Sequence, residues 1–186
     1  AVVVALFYKD IKSFINNFTI QPFDFEGNGF IVPDTIIDNG VEFPVVKDEG
    51  QYQTAINNDN GGYIRGVELG YTQVFDFLPS PLSGLGFTGS YSYSDSEVEF
   101  TTDLSGSNLT IPLPGLSESV LNTTLFYTLD GFDTRVSMRY RSSYVSEQVA
   151  VESQLAFFDA ETIVDYQASY ALENGLKFLF QINNLT

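Results

Sequence analysis

The sequence predicts an all-β protein, an antiparallel up-and-down meander of about seven long strands that forms part of the wall of a transmembrane β-barrel. Three observations lead there. Apolar and polar residues alternate with period two in segment after segment, while helical periodicity is missing. Short glycine-containing turns join pairs of these segments and alternate with long connections. The chain carries 17 Phe and 11 Tyr, yet only 17% of its residues are charged, against about 25% in an ordinary water-soluble domain.

The elements follow in chain order. Segment 1–15 is apolar on both faces, so its orientation is left open. Over 63–77, Val67, Leu69, Tyr71 and Phe75 oppose Gly66, Glu68, Gly70 and Thr72. Over 85–94, Leu85, Phe87, Gly89, Tyr91 and Tyr93 alternate with Gly86, Thr88, Ser90, Ser92 and Ser94. Over 121–129, Leu121, Thr123, Leu125, Tyr127 and Leu129 oppose Asn122, Thr124, Phe126 and Thr128, with Phe126 the one misfit on the polar side. Over 132–144, Phe132, Val136, Met138, Tyr140 and Tyr144 oppose Asp133, Arg135, Ser137, Arg139 and Arg141. Over 162–172, Val164, Tyr166, Ala168 and Tyr170 oppose Ile163, Asp165, Gln167 and Ser169. The last strand sets Leu176, Phe178, Phe180 and Ile182 against Lys177, Leu179, Gln181 and Asn183.

The turns test these faces independently. Asp130-Gly131 suits a two-residue type I′ hairpin, because both central positions need positive φ. Such a turn pairs Leu129 with Phe132, Leu125 with Val136, Thr123 with Met138 and Leu121 with Tyr140. Glu173-Asn174-Gly175 fits a three-residue hairpin loop that pairs Tyr170 with Phe178, Ala168 with Phe180 and Tyr166 with Ile182. A slip of one residue would ruin both patterns.

The long connections, roughly 16–60, 101–116 and 146–158, exceed what a compact soluble domain usually tolerates without structure. Brief turns at one end and long loops at the other are the form of an outer-membrane barrel, with the short turns in the periplasm. The strands also reach the roughly 9 to 11 residues needed to cross a bilayer when tilted. No run of about 18 apolar residues offers a transmembrane helix, and the amino terminus lacks the pattern of a signal peptide. Seven strands that begin and end running upward cannot close without a parallel pair. Residues 1–186 are therefore expected to be one partial barrel domain, a section of a larger wall without its final strand.

Histidine, cysteine and tryptophan are absent. This removes His-based acid/base work, Ser-His and Cys-His nucleophile pairs, Cys/His zinc sites and disulfides. The chain is read as non-enzymatic, with no catalytic residues, no metal site and no cofactor. Its 24 acidic and 8 basic residues give a net charge of −16, which argues against nucleic acid as a partner.

Several strings carry a resemblance. Gly61-Gly-Tyr-Ile-Arg-Gly-Val-Glu-Leu-Gly-Tyr71 resembles the "G-x-I-x-G-hydrophobic-E" strand of TonB-dependent outer-membrane receptors, and Ala5-Leu-Phe-Tyr-Lys-Asp-Ile-Lys-Ser-Phe-Ile15 resembles the strand that precedes it. Ile111-Pro-Leu-Pro-Gly-Leu-Ser117, Asn122, Tyr140-Arg-Ser-Ser-Tyr144 and Ile182-Asn-Asn-Leu-Thr186 follow in the family's order. The resemblance implies the late strands of a large plugged barrel in the bacterial outer membrane. It implies a receptor that binds a scarce nutrient such as an iron chelate, cobalamin or carbohydrate and imports it with energy from the inner-membrane TonB complex. The implied partners are the lipid bilayer, the plug domain of the parent protein and, through segments outside this chain, TonB; the plug itself is not expected within 1–186. A passive porin-like channel and a soluble all-β binding module are the competing readings.

Parity places Arg135, Arg139 and Arg141 on the lumen face, where they would line a path for an anionic ligand, hold the plug, or pair within the wall. Asp165 shares that face on the following strand, opposite Arg139 or Arg141 according to register. Glu68 faces the lumen as well and recurs in the family pattern, as a wall or plug contact or a ligand-binding group. Asp95, Glu97 and Glu99 share the parity of the greasy face beyond Tyr93. Since charge at mid-membrane is costly, that strand should already have left the bilayer there. Alternate strand carboxylates lack the loop geometry that wraps calcium. The acidic, Phe-containing segment 16–60 is a candidate external ligand lid or a solvated loop, and the Asn-x-Thr strings at Asn17, Asn108, Asn122 and Asn184 are given no weight as glycan sites in a bacterial barrel.

Overall fold

The computed structural model describes residues 1–101, 108–146 and 155–186. The middles of two long connections expected from the sequence, 102–107 and 147–154, lie outside the described residues. Seven long strands pair in the order β1 (Val2–Ile11), β6 (Gly62–Val74), β7 (Leu85–Thr101), β9 (Ser119–Leu129), β10 (Phe132–Arg141), β13 (Glu161–Ala171) and β14 (Lys177–Ile182). Every neighbouring pair is antiparallel. A short strand β8 (Asn108–Ile111) adds to the far end of β7.

Both hairpin registers fall where the turn chemistry puts them. Leu129 faces Phe132, Leu125 faces Val136 and Leu121 faces Tyr140 across a turn in which Asp130 and Gly131 have φ of 47° and 80°. Tyr170 faces Phe178 and Tyr166 faces Ile182 across a loop in which Gly175 has φ of 87°. The remaining connection at that end, 75–84, closes with the 3-10 turn Leu82–Gly84.

The orientation of β1 is resolved by its pairing. Leu6 lies beside Val67 and Tyr8 beside Arg65, so Val2, Val4, Leu6 and Tyr8 join the apolar face, while Val3, Ala5, Phe7 and Lys9 join the polar one. The misfit Phe126 also finds its reason. Its register partner is Gly86, and the ring lies over that glycine, where any Cβ would collide with it. Phe7 covers its partner Gly66 in the same way. Inward aromatics over strand glycines fill the missing side-chain volume.

The apolar face is a band between two aromatic rims. Tyr71–Phe87 and Tyr127–Phe132 pack with ring centroids 6.0 and 6.3 Å apart toward the turn end. Tyr8 stacks on Tyr63 toward the other end. Above Tyr93, the carboxylate of Asp95 meets the Arg65 guanidinium at 2.8 Å, and Arg65 lies over the Tyr63 ring. From Asp95 down to Leu85 the strand rises about 33 Å, or roughly 25 Å after a tilt of about 40°. That matches the apolar band of about 25 Å on a membrane barrel.

Segment 16–60, expected as a long loop, instead folds as further strands. β2 (Phe14–Phe23) pairs with β5 (Gly50–Asn58) and extends the β1–β6 pair, and a small hairpin of β3 (Thr35–Asp38) and β4 (Val41–Pro44) lies between them. The sequence hid this because the register shifts by one residue at the junction: Lys12 and Ser13 oppose Asp59, Asn60 and Gly61. Gly61 has φ of 73°, and a Cβ there would strike the Ile11 carbonyl. Phe23, Phe25, Phe30 and Tyr52 form an aromatic hub, with Phe23 stacked on Tyr52 at 4.7 Å. Lys47 bridges Asp34 and Glu26 beside it. Asp34 is held below, and Lys47 above, its ordinary range by this pairing. The bridge is therefore intact across neutral pH, lost in acid as Asp34 protonates and in strong base as Lys47 deprotonates.

Few side chains are buried, as a single wall requires. A buried apolar cluster, Val98, Ile111 and Val145 with Ile11, Phe14, Leu109, Leu113 and Leu155 against it, sits where the long connections meet, at the end away from the short turns.

Candidate functional site

The polar face is built by strand parity from small hydroxyl side chains. Thr72 bonds Thr88 at 2.9 Å and Thr124 bonds Ser137 at 2.9 Å, so these short polar residues satisfy one another across the strands. At the β10–β13–β14 end the surface deepens into a concavity of about 210 Å³ lined by Arg135, Ser137, Asp165, Gln167, Gln181 and Asn183.

The predicted residues divide here. Asp165 stands directly opposite Ser137, not opposite Arg139 or Arg141. It reaches Arg139 diagonally, with Nη2 at 2.9 Å from Oδ2, while its other oxygen accepts the Asn184 backbone N–H at 3.0 Å. Diagonal neighbours on a sheet lie within reach of long side chains, so the parity was right and the rung was not. The Arg139 side chain is 58% exposed, which limits the pair to at most about 1 kcal/mol.

Arg135 differs. It faces Gln167 across the strands and donates to its Oε1, which also accepts from Gln181 Nε2 at 3.0 Å. An amide is its partner instead of a carboxylate, and among the described residues Arg135 makes no ion pair, although Asp165 also lines the concavity. Gln167, Gln181 and Asn183 belong to the site but were not singled out from the sequence. Their signal was the same alternation that marked the arginines, without a charge to draw attention.

Arg141 serves a different place. Its Nε donates to Ser117 Oγ at 3.0 Å, Nη2 donates to the Gly115 carbonyl at 3.4 Å, and the guanidinium lies 3.9 Å from the Tyr144 ring centroid. Strand β10 ends at Arg141, and Tyr144 belongs to the two-residue strand β11 (Tyr144–Val145) paired with β12 (Phe157–Phe158). Arg141 thus pins the 112–118 connection to the end of β10. The Arg141→Ala variant is expected to increase proteolysis within 112–118 several-fold in a limited digest, with the sheet strands still protected.

Glu68 lies between Ala5 and Ser92 on the polar face, exposed and with no ion pair among the described residues. The registers place it on the rung of Ser92, Val120 and Arg141. Three strand spacings, about 14 Å, separate it from Arg141. The candidates therefore form one concavity around Arg135 with its Arg139–Asp165 flank, one loop pin and one isolated carboxylate.

A wall polar on one face, apolar and aromatic-rimmed on the other, with short turns at one end, is a section of a transmembrane β-barrel. The model of the TonB-dependent receptor-like β-barrel family matches residues 1–185, and the chain belongs to that family. Comparison with curated proteins found no match, and comparison with solved structures found none either.

Proposed function

We propose that this wall belongs to an outer-membrane receptor that binds a scarce nutrient, such as an iron chelate, cobalamin or a carbohydrate, and imports it with energy from the inner-membrane TonB complex. The apolar face meets lipid, and the polar face lines the lumen beside the plug domain of the parent protein. The observation that carries the reading is Arg135, bonded to an amide and without an ion pair among the described residues, at a polar concavity of a family barrel. Arg139, neutralised by Asp165, serves the wall; Arg135 attracts an anionic group on the passing nutrient.

Growth of a receptor-deletion strain on limiting ferric chelates, cobalamin and oligosaccharides, with and without TonB, tests this. Growth on one of these nutrients should fail in both the receptor deletion and the TonB deletion. Loss in the receptor deletion alone would indicate a passive channel. With that nutrient, Arg135→Ala should weaken half-saturation of uptake about tenfold, equivalent to about 1.4 kcal/mol. Arg139→Gln should change it little.

A further inference from the structure

The β3–β4 hairpin carries apolar side chains that stand exposed among the described residues. Asn39 and Gly40, with φ of 50° and 82°, make a type I′ turn. The pairs Ile36–Phe43 and Asp38–Val41 put Ile36, Val41 and Phe43 on one face, with Asp38 at its turn end, and Thr35, Ile37, Glu42 and Pro44 on the other. On the first face Ile36, Val41 and Phe43 are about half exposed. Among the described residues β3 and β4 pair only with each other, which leaves both outer edges open. A two-stranded hairpin alone is marginal in water, and clustered exposed apolar side chains mark interaction sites.

Charge decides what fits. Around the hairpin stand Asp34, Asp38, Glu42, Asp48 and Glu49 against Lys47 alone, and Lys47 already bridges Asp34 and Glu26. A second copy would bring the same acidic surface, and anionic lipid head groups would be repelled in the same way. We infer that the hairpin docks an extended polypeptide of alternating apolar and basic residues, added as a third strand at its β4 edge, where Val41 and Phe43 lie on one face and Glu42 on the other. The apolar side chains would extend the Ile36–Val41–Phe43 face, and the basic ones would meet Glu42 on the other.

The test uses the full-length receptor in phosphatidylcholine nanodiscs, with fluorescein-labelled peptides of alternating Leu and Lys or alternating Leu and Glu read by anisotropy. The Leu/Lys peptide should bind, and the Leu/Glu peptide should not. The Ile36→Ser/Phe43→Ser variant, which leaves charge unchanged, should weaken binding at least tenfold. Glu42→Lys, which keeps the apolar residues, should weaken it similarly. Unchanged binding in either variant would reduce the attraction to overall negative charge and overturn the proposal. So would equal binding of both peptides, or dimerisation in sedimentation that Ile36→Ser/Phe43→Ser abolishes, which would make the occupant a second copy.

Discussion

Val136→Arg should destabilise the inserted barrel by about 2–4 kcal/mol, the cost of a basic residue near the bilayer midplane on a lipid face. Val136 lies midway along β10 between Phe132 and Tyr140, beside Leu125 and Tyr166, and is 44% exposed in the wall. A surface valine facing water would tolerate the same change within about 0.5 kcal/mol. Ser90→Arg supplies the contrast, because Ser90 shares the polar face with Gly70 and Asn122 and should shift stability by no more than about 0.5 kcal/mol. Urea unfolding of the full-length receptor from lipid vesicles reads both. Equal shifts for the two variants would mean that the apolar face does not meet lipid.

That pair of variants rests on faces that were legible in the sequence for a physical reason. A period of two admits only two choices per strand, and the Asp130-Gly131 and Asn174-Gly175 turns fix register to the residue, so face and pairing follow together. Pairs across long connections were not fixed in this way. Alternation gives Asp165 its face but not its rung opposite Ser137, because no tight turn links β10 to β13. Segment 16–60 escaped for a related reason: a one-residue mismatch at Gly61 inverts the alternation, so β2 and β5 do not read as continuations of β1 and β6. The three arginines look equivalent by parity. Only the end of the strand, where the 112–118 connection folds back, separates the pin Arg141 from Arg135 at the concavity.

Close backbone approach is also invisible to periodicity, and it makes the strongest case for a single substitution. Gly66 and Gly70 lie on the same strand and the same face, two strand repeats apart, and both read as small polar-side residues. At Gly66 a Cβ would collide with the Tyr93 carbonyl oxygen and come within 2.7 Å of the Phe7 ring. At Gly70 it would meet only Val3 Cβ at 3.6 Å, an ordinary contact. Gly66→Ala should therefore cost about 1–3 kcal/mol, as overpacking against an immovable neighbour does. Gly70→Ala should be neutral or stabilise by up to about 1 kcal/mol, since alanine restricts the unfolded chain. Adding Phe7→Ala to Gly66→Ala should restore only part of the loss, because removing the ring leaves the carbonyl in place. Urea unfolding of the full-length receptor separates these outcomes. Equal values for the two alanine variants would mean that β6 and β7 do not approach as closely at Gly66 as the geometry requires.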